Sequence, residues 1–220
     1  MFSVSQRVIE QDSPAAWSRL AATLVAGTVA CGGNWTVVVA LPVVEQEFGT
    51  ARAGASFPYT CAMAGFAAGT LVMGRIADRW GVVAPLLISA ATLLIGYALA
   101  SVAADLWQFA LVHAFFIGVG ASAGFAPLMA DISHFFARRR GLAVVIAATG
   151  SYLAGVVWPQ IFQFAMAAWG WRMAHLAAGI GMAAILAPMA LAFRARPAQH
   201  VYAAAPTTGA SAARLDPGLS

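Results

Sequence analysis

Lysine is absent from this chain and charge of either sign is scarce. Only 9% of its 220 residues are charged, where a soluble domain carries roughly a quarter. With 61% apolar residues and a mean hydropathy of +0.80, the chain is a membrane protein. Its 12 basic residues are all arginine, and a net charge of +4 is too thinly spread for the clustered basic face that nucleic-acid binding needs. Nucleic acid is therefore excluded as a partner. The 2 cysteines, Cys31 and Cys61, each lie inside an apolar run, so neither a disulfide framework nor a metal site is indicated. Also missing are an H-E-x-x-H segment, a nucleophile with a base and a pair of intramembrane acids. No catalytic residue is assigned, the chain reads as no enzyme, and no cofactor is expected. No secretory leader is expected either: the start is polar, and the apolar run behind it is too long for a signal peptide and reads as a retained span.

What is present is a series of long apolar runs. A crossing needs about 20 apolar residues, and six stretches reach that length, at 20–44, 54–74, 82–103, 107–132, 142–168 and 173–193. Lipid cannot satisfy free backbone groups, so each should be helical, and the short breaks between them force neighbours to be antiparallel. The fold class is an all-α integral membrane protein of six transmembrane helices. It divides into a cytoplasmic N-terminal segment (1–19), a membrane domain (20–193) and a cytoplasmic tail (194–220).

Orientation follows from arginine asymmetry. With the N-terminus inside, the inner face holds Arg7, Arg19, Arg75, Arg79, Arg138, Arg139, Arg140, Arg194, Arg196 and Arg214, against Arg52 and Arg172 outside. The outer loops carry Glu45, Glu47 and Asp105, with Trp107, Trp169 and Trp171 at interfacial positions. The expected location is the cell (inner) membrane with both termini cytoplasmic. The loop pattern also suggests a faint internal repeat, in which the last three spans invert the phase of the first three.

Gly74, Asp78, Arg79 and Gly81 spell G-x-x-x-D-R-x-G between the second and third spans. A glycine at 74 allows close helix approach, Asp78 can accept from a helix N-terminus, Arg79 can pair with a carboxylate and Gly81 permits a tight reversal. This loop resembles the signature of the major facilitator superfamily, although "VVAP" replaces the usual basic pair after Gly81. The resemblance implies the N-terminal half of that fold, built as a three-plus-three inverted repeat, with these four residues latching the two halves. "FFARRRGLAVVIAATG", Phe135 to Gly150, resembles the entry to the fifth helix in the monocarboxylate-transporter and oxalate:formate-antiporter branch, with Val145 standing where a small residue is usual. "ALPVVEQEFGTARAG", Ala40 to Gly54, resembles the branch's first outer loop. The cluster Arg138, Arg139 and Arg140 reads chiefly as a topology signal and a contact for lipid headgroups.

Polar groups at membrane depth suggest function. Asn34, on a stripe with Gly27, Cys31 and Val38, and its neighbour Trp35 are candidates for the substrate path; "CGGNW" could also unwind there, or Asn34 could hydrogen-bond between helices. His113 could take up a proton near neutral pH and couple it to transport, or be a packing histidine. Tyr152, Trp158 and Gln160 lie around the Pro159 bend and complete the candidates. His175 and Asp131, near helix ends, are expected to meet water or headgroups.

Taken with the resemblance, these residues imply transport of a small solute by alternating access, in this branch an organic anion such as a monocarboxylate. No arginine or lysine sits at the centre of a span, and the cation for such a solute is expected from a second six-helix half. That half would be missing through truncation, supplied by a separate chain, or provided by a homodimer; truncation is the expectation. The alternatives are an inactive transporter fragment and a six-helix adaptor that only binds partners, with Asn34, His113 and Gln160 all packed.

Overall fold

The computed structural model describes residues 8–49, 54, 56–194 and 196–197. Arg7, Arg52, Arg214 and most of the tail named above lie outside them. Helix α1 (Pro14–Cys31) and helix α2 (Gly33–Glu47) together make the first crossing. It begins six residues before its apolar run because Ser13 caps it, its Oγ accepting from the Ala16 N–H at 3.3 Å with Pro14 opening the first turn. Helices α3 (Phe57–Trp80) and α4 (Val83–Ser101) are the second and third crossings. The fourth, Leu106–Ser133, consists of α5 (Leu106–Val112), a π-helical turn at His113–Gly118, α6 (Val119–Ser122) and α7 (Ala126–Ser133). Helix α8 runs from Arg140 to Ala192.

At 53 residues α8 would be about 80 Å long, far more than a bilayer of about 30 Å accepts. It is interrupted at Gly170, whose φ of 77° and ψ of 163° are not helical. The rings of Phe162 and His175 touch across this break with centroids 4.9 Å apart; on a straight helix they would stand about 20 Å apart. The chain therefore reverses at Gly170. Among the described residues, five apolar helical stretches are long enough to cross a membrane, and the last of them is broken into two legs at Gly170.

The turn between α3 and α4 uses the same device. Gly81 has φ 76° and ψ 175°, and its N–H closes on the Ala77 carbonyl at 2.8 Å. Each glycine follows a tryptophan, Trp80 or Trp169, and each sits in the second turn of its three-helix set. Both pairs fall where the repeat expected from the loop pattern would align them. At both positions an added Cβ would meet nothing within 4 Å, so the backbone angles and not the available space demand glycine.

Two arginines fasten the ends of the legs. Arg19 of α1 holds Asp131 of α7 through Nη2 at 2.9 Å and Nε at 3.0 Å, donates to the Phe193 carbonyl at the end of α8 at 3.2 Å, and lies between the rings of Phe135 and Phe193. Its side chain is only 5% exposed. Asp131 is thus an ion-pair partner and not the water-facing acid its sequence position suggests. At the opposite end, Arg172 donates to the carbonyls of Ser101 and Ala103 at 3.0 and 3.1 Å and to Glu47 at 3.0 Å. Each arginine caps a helix C-terminus, where the exposed carbonyls and the helix dipole favour a cation.

A strap before α1 closes the Arg19 end. Asp12, at φ 55°, donates its N–H to the Phe135 carbonyl, and its Oδ2 accepts from the N–H groups of Arg138 and Ala137 at 3.1 and 3.2 Å. Val8–Ile9 then pairs in parallel with Arg196–Pro197.

Two predictions follow from these features. Gly170→Ala places a side chain in a region essentially reserved for glycine and should cost about 1–3 kcal/mol, read as a lower unfolding midpoint in micelles with no change in helix content. The Arg138 N–H, then the Ala137 N–H, hold the Asp12 carboxyl below its ordinary range. A depressed carboxyl contributes above its unfolded value, near 4, and loses its contribution as pH falls through its folded value. Hydrogen exchange over 135–139 should therefore keep its protection between about pH 7 and 5 and lose it below about 4, while Asp12→Ala should lose it at neutral pH.

Candidate functional site

The first crossing bends at Gly32 without unwinding, since φ −54° and ψ −31° are right-handed helical. The Gly32 N–H reaches the Val29 carbonyl at 3.2 Å, a tightened turn that releases the Thr28 carbonyl from its usual partner four residues on. The indole N–H of Trp158 donates to that carbonyl at 2.9 Å. The same ring fills the space beside residue 32, where a Cβ would overlap its nitrogen. Glycine at 32 is what lets Trp158 reach the backbone.

The bend presents Cys31, Asn34 and Trp35 to a cavity of about 200 Å³. Tyr59, Met63 and Phe66 of α3 form a second wall, Phe125 a third, and Ser151 with Tyr152 of α8 the fourth. Helix α3 comes this close because Gly65 lies against the Ala114 carbonyl and Gly118 against the Ala62 carbonyl. Trp35 is braced over Gly155 and donates to the Ser151 carbonyl at 3.3 Å. Tyr152 is 74% exposed on the open side. Asn34 Oδ1 is buried and has no hydrogen-bond partner among the described residues. Among the described residues, no lining side chain is charged.

Of the six path candidates, the structure brings Asn34, Trp35 and Tyr152 together. Trp158 is 8% exposed behind the bend, and Gln160 is exposed outside the lining. His113 is fully buried in the π-helical turn, its Nδ1 2.8 Å from the Phe109 carbonyl and its ring 6.1 Å from that of His175. Its Nε2 has no partner among the described residues. His175 is also fully buried, against the expectation of water, because the reversal at Gly170 folds it onto Phe162. The α3 wall was missed, although Tyr59, Met63 and Phe66 recur at steps of four and three, the spacing of one helix face.

In the second turn Asp78 and Arg79 are exposed and make no hydrogen bond or ion pair among the described residues, and a Cβ at Gly74 would meet nothing within 4 Å. Arg138 and Arg139 are exposed, and Arg140 donates to Ser133 Oγ at 3.2 Å.

Residues 23–216 match the sequence profile described as Major Facilitator Superfamily. The chain belongs to the major facilitator superfamily. It is a multi-pass membrane protein of a carrier family, and its relatives agree. An agnestins efflux protein of Paecilomyces divaricatus is 38% identical over 59% of this chain and 30% of its own length. An MFS-type transporter of Aspergillus terreus is 34% identical over 54% of this chain and 40% of its own. Monocarboxylate transporter 11 of Homo sapiens is 26% identical over 74% of this chain and 35% of its own. The match thus spans less than half the length of each of these superfamily members.

Trp158→Phe keeps an aromatic ring but removes the donor to the Thr28 carbonyl. It should cost about 1–3 kcal/mol of stability, measured by unfolding in micelles.

Proposed function

We propose that this chain supplies one half of an alternating-access carrier for a small solute, and that the cavity beneath the Gly32 bend is its share of the path. The observation that supports this best is the open cavity itself, with Asn34 among its lining residues and Tyr152 exposed at its edge. An adaptor would need Asn34, His113 and Gln160 all packed, and of these only His113 is fully buried. The branch resemblance favours an organic anion such as a monocarboxylate. The described wall holds no cation, so the carboxylate would be met by a second six-helix half.

On this reading the Arg19 end faces the cytoplasm, residues 20–193 form the membrane domain, and Asp78 with Arg79 wait for a helix end of the other half. Their exposure and lack of partners suit that role. His113, buried among aromatic rings, is left to packing. Proton coupling, if the carrier uses it, would then rest on groups of the second half.

A thiol at 152 should be wetted, whereas one on the lipid face should not. In a chain whose two native cysteines are replaced by serine, Tyr152→Cys should react with a water-soluble maleimide about tenfold faster or more than Leu71→Cys, since the thiolate forms in water and not in hydrocarbon. Equal rates would overturn the reading. Reconstituted alone in proteoliposomes, the chain should give no saturable lactate uptake; saturable flux would show that no second half is needed.

A further inference from the structure

Trp35 and Trp158 are seated by one pattern used twice. Gly32-x-x-Trp35 in the first crossing and Gly155-x-x-Trp158 in α8 share their spacing, and each tryptophan lies over the glycine of the other segment. Each indole N–H donates to the carbonyl four residues before that glycine, Trp158 to Thr28 at 2.9 Å and Trp35 to Ser151 at 3.3 Å. We propose that this reciprocal clasp has one fixed arm, Trp158, and one movable arm, Trp35, and that Trp35 gates the cavity. The cavity is open while the ring is parked on Gly155 and is filled by the ring when it swings off. The proposal rests on the reading of the cavity as the solute path and names the side chain that regulates entry to it.

The two arms differ in what their release would leave behind. The Thr28 carbonyl has lost its ladder partner at the Gly32 bend and is served by the Trp158 indole, so withdrawing that ring leaves a backbone acceptor unpaired inside the bundle. The Ser151 carbonyl lies in an uninterrupted part of α8, where the ladder already brings it the Gly155 N–H. Withdrawing Trp35 therefore orphans no carbonyl, and its own N–H turns to the open cavity. Their surroundings differ in the same sense. Trp158 is 8% exposed and belongs to the buried core, whereas Trp35 is 36% exposed and lines the cavity.

Packing sets the direction in which the ring travels. Beside the clasp the two segments are in close contact, since a Cβ at Gly150 would stand 2.8 Å from the Leu24 carbonyl oxygen. On the α8 side Trp35 rests directly on its seat, where a Cβ at Gly155 would stand 2.8 Å from its ring carbon Cε2. The free direction is away from α8 and into the cavity, toward the wall of Tyr59, Met63 and Phe66 on α3. A cavity of roughly 150 Å³ holds one benzene. One of about 200 Å³ therefore takes an indole ring and leaves little space for a solute beside it.

Two measurements on the full chain in lipid nanodiscs test the gate. The first reads hydrogen exchange at the isotope-labelled indole N–H of each arm, assigned by the resonance lost in Trp35→Phe and in Trp158→Phe. The Trp35 N–H should exchange at least about tenfold faster than that of Trp158, because a group that leaves its partner at little cost opens more often. The second uses the chain with both native cysteines replaced by serine and a reporter thiol in the α3 wall, Met63→Cys, treated with a water-soluble maleimide. Adding Gly155→Ala drives the ring off its seat and should slow labelling about fivefold or more, since a thiol cut off from water forms less thiolate. Adding Trp35→Ala as well should restore the rate, which a general disturbance of packing by the new methyl group would not allow. Equal exchange at the two indoles, unchanged labelling in Gly155→Ala, or slowed labelling that Trp35→Ala fails to restore would each overturn the proposal. If Gly155→Ala does not fold, the exchange rates of the unaltered chain decide alone. Equal exchange beside a wetted thiol at 152 would remove the gate and leave the carrier reading standing. Unequal exchange with ring-dependent labelling at 63, beside a dry thiol at 152, would keep the movable arm and remove the carrier reading.

Discussion

Hydrocarbon offers no hydrogen bonds, so every backbone group that leaves the helical ladder within the bundle must find a partner in the chain. Much of this fold can be read from where such groups occur. The bend at Gly32 frees the Thr28 carbonyl, which the Trp158 indole takes. The ends of α4 and α8 leave carbonyls that Arg172 and Arg19 take. In a chain with 9% charged residues, two arginines are spent on helix ends.

That economy also explains which side of the bundle is closed. Arg19 with Asp131 ties the first, fourth and last legs at one end, and Arg172 with Glu47 ties the first, third and last at the other. The buried core runs between these ties, through Leu93, Tyr97, Phe109 and Phe162. The cavity lies apart from them, where the bend turns Asn34 and Trp35 toward α3 and toward Tyr152. On the proposed reading this division suits a half-carrier, one side fixed by charge and aromatic packing and the other left for solute and a second half.

The long apolar runs made the legs legible, because hydrophobic length and the ban on free backbone groups leave helix as the only answer. Gly81 was legible as a turn from its motif, and its twin at Gly170 was present in the shared Trp-Gly pair. Contacts between distant residues were not legible. Arg19 and Asp131 are 112 residues apart and Trp158 and Thr28 are 130 apart, and nothing local marks them as partners. Trp158 therefore read as a path residue when its N–H is committed to a bend, and Asp131 read as wetted when it is paired. His113 and His175 lie in different runs and meet only because the chain reverses at Gly170. Asn34 stood out as a candidate because a lone amide at membrane depth is costly; the α3 residues that line the same cavity did not, because they are ordinary apolar and aromatic ones.

The claim that side chains replace the missing ladder is tested most directly at Thr28. With its carbonyl isotope-labelled, the infrared amide band of that one group reports its hydrogen bond. It should lie at the frequency of a bonded carbonyl in the unaltered chain and shift up in Trp158→Phe. A band that stays in place when the indole is removed would show that the Thr28 carbonyl has another partner, and would contradict the account of the bend.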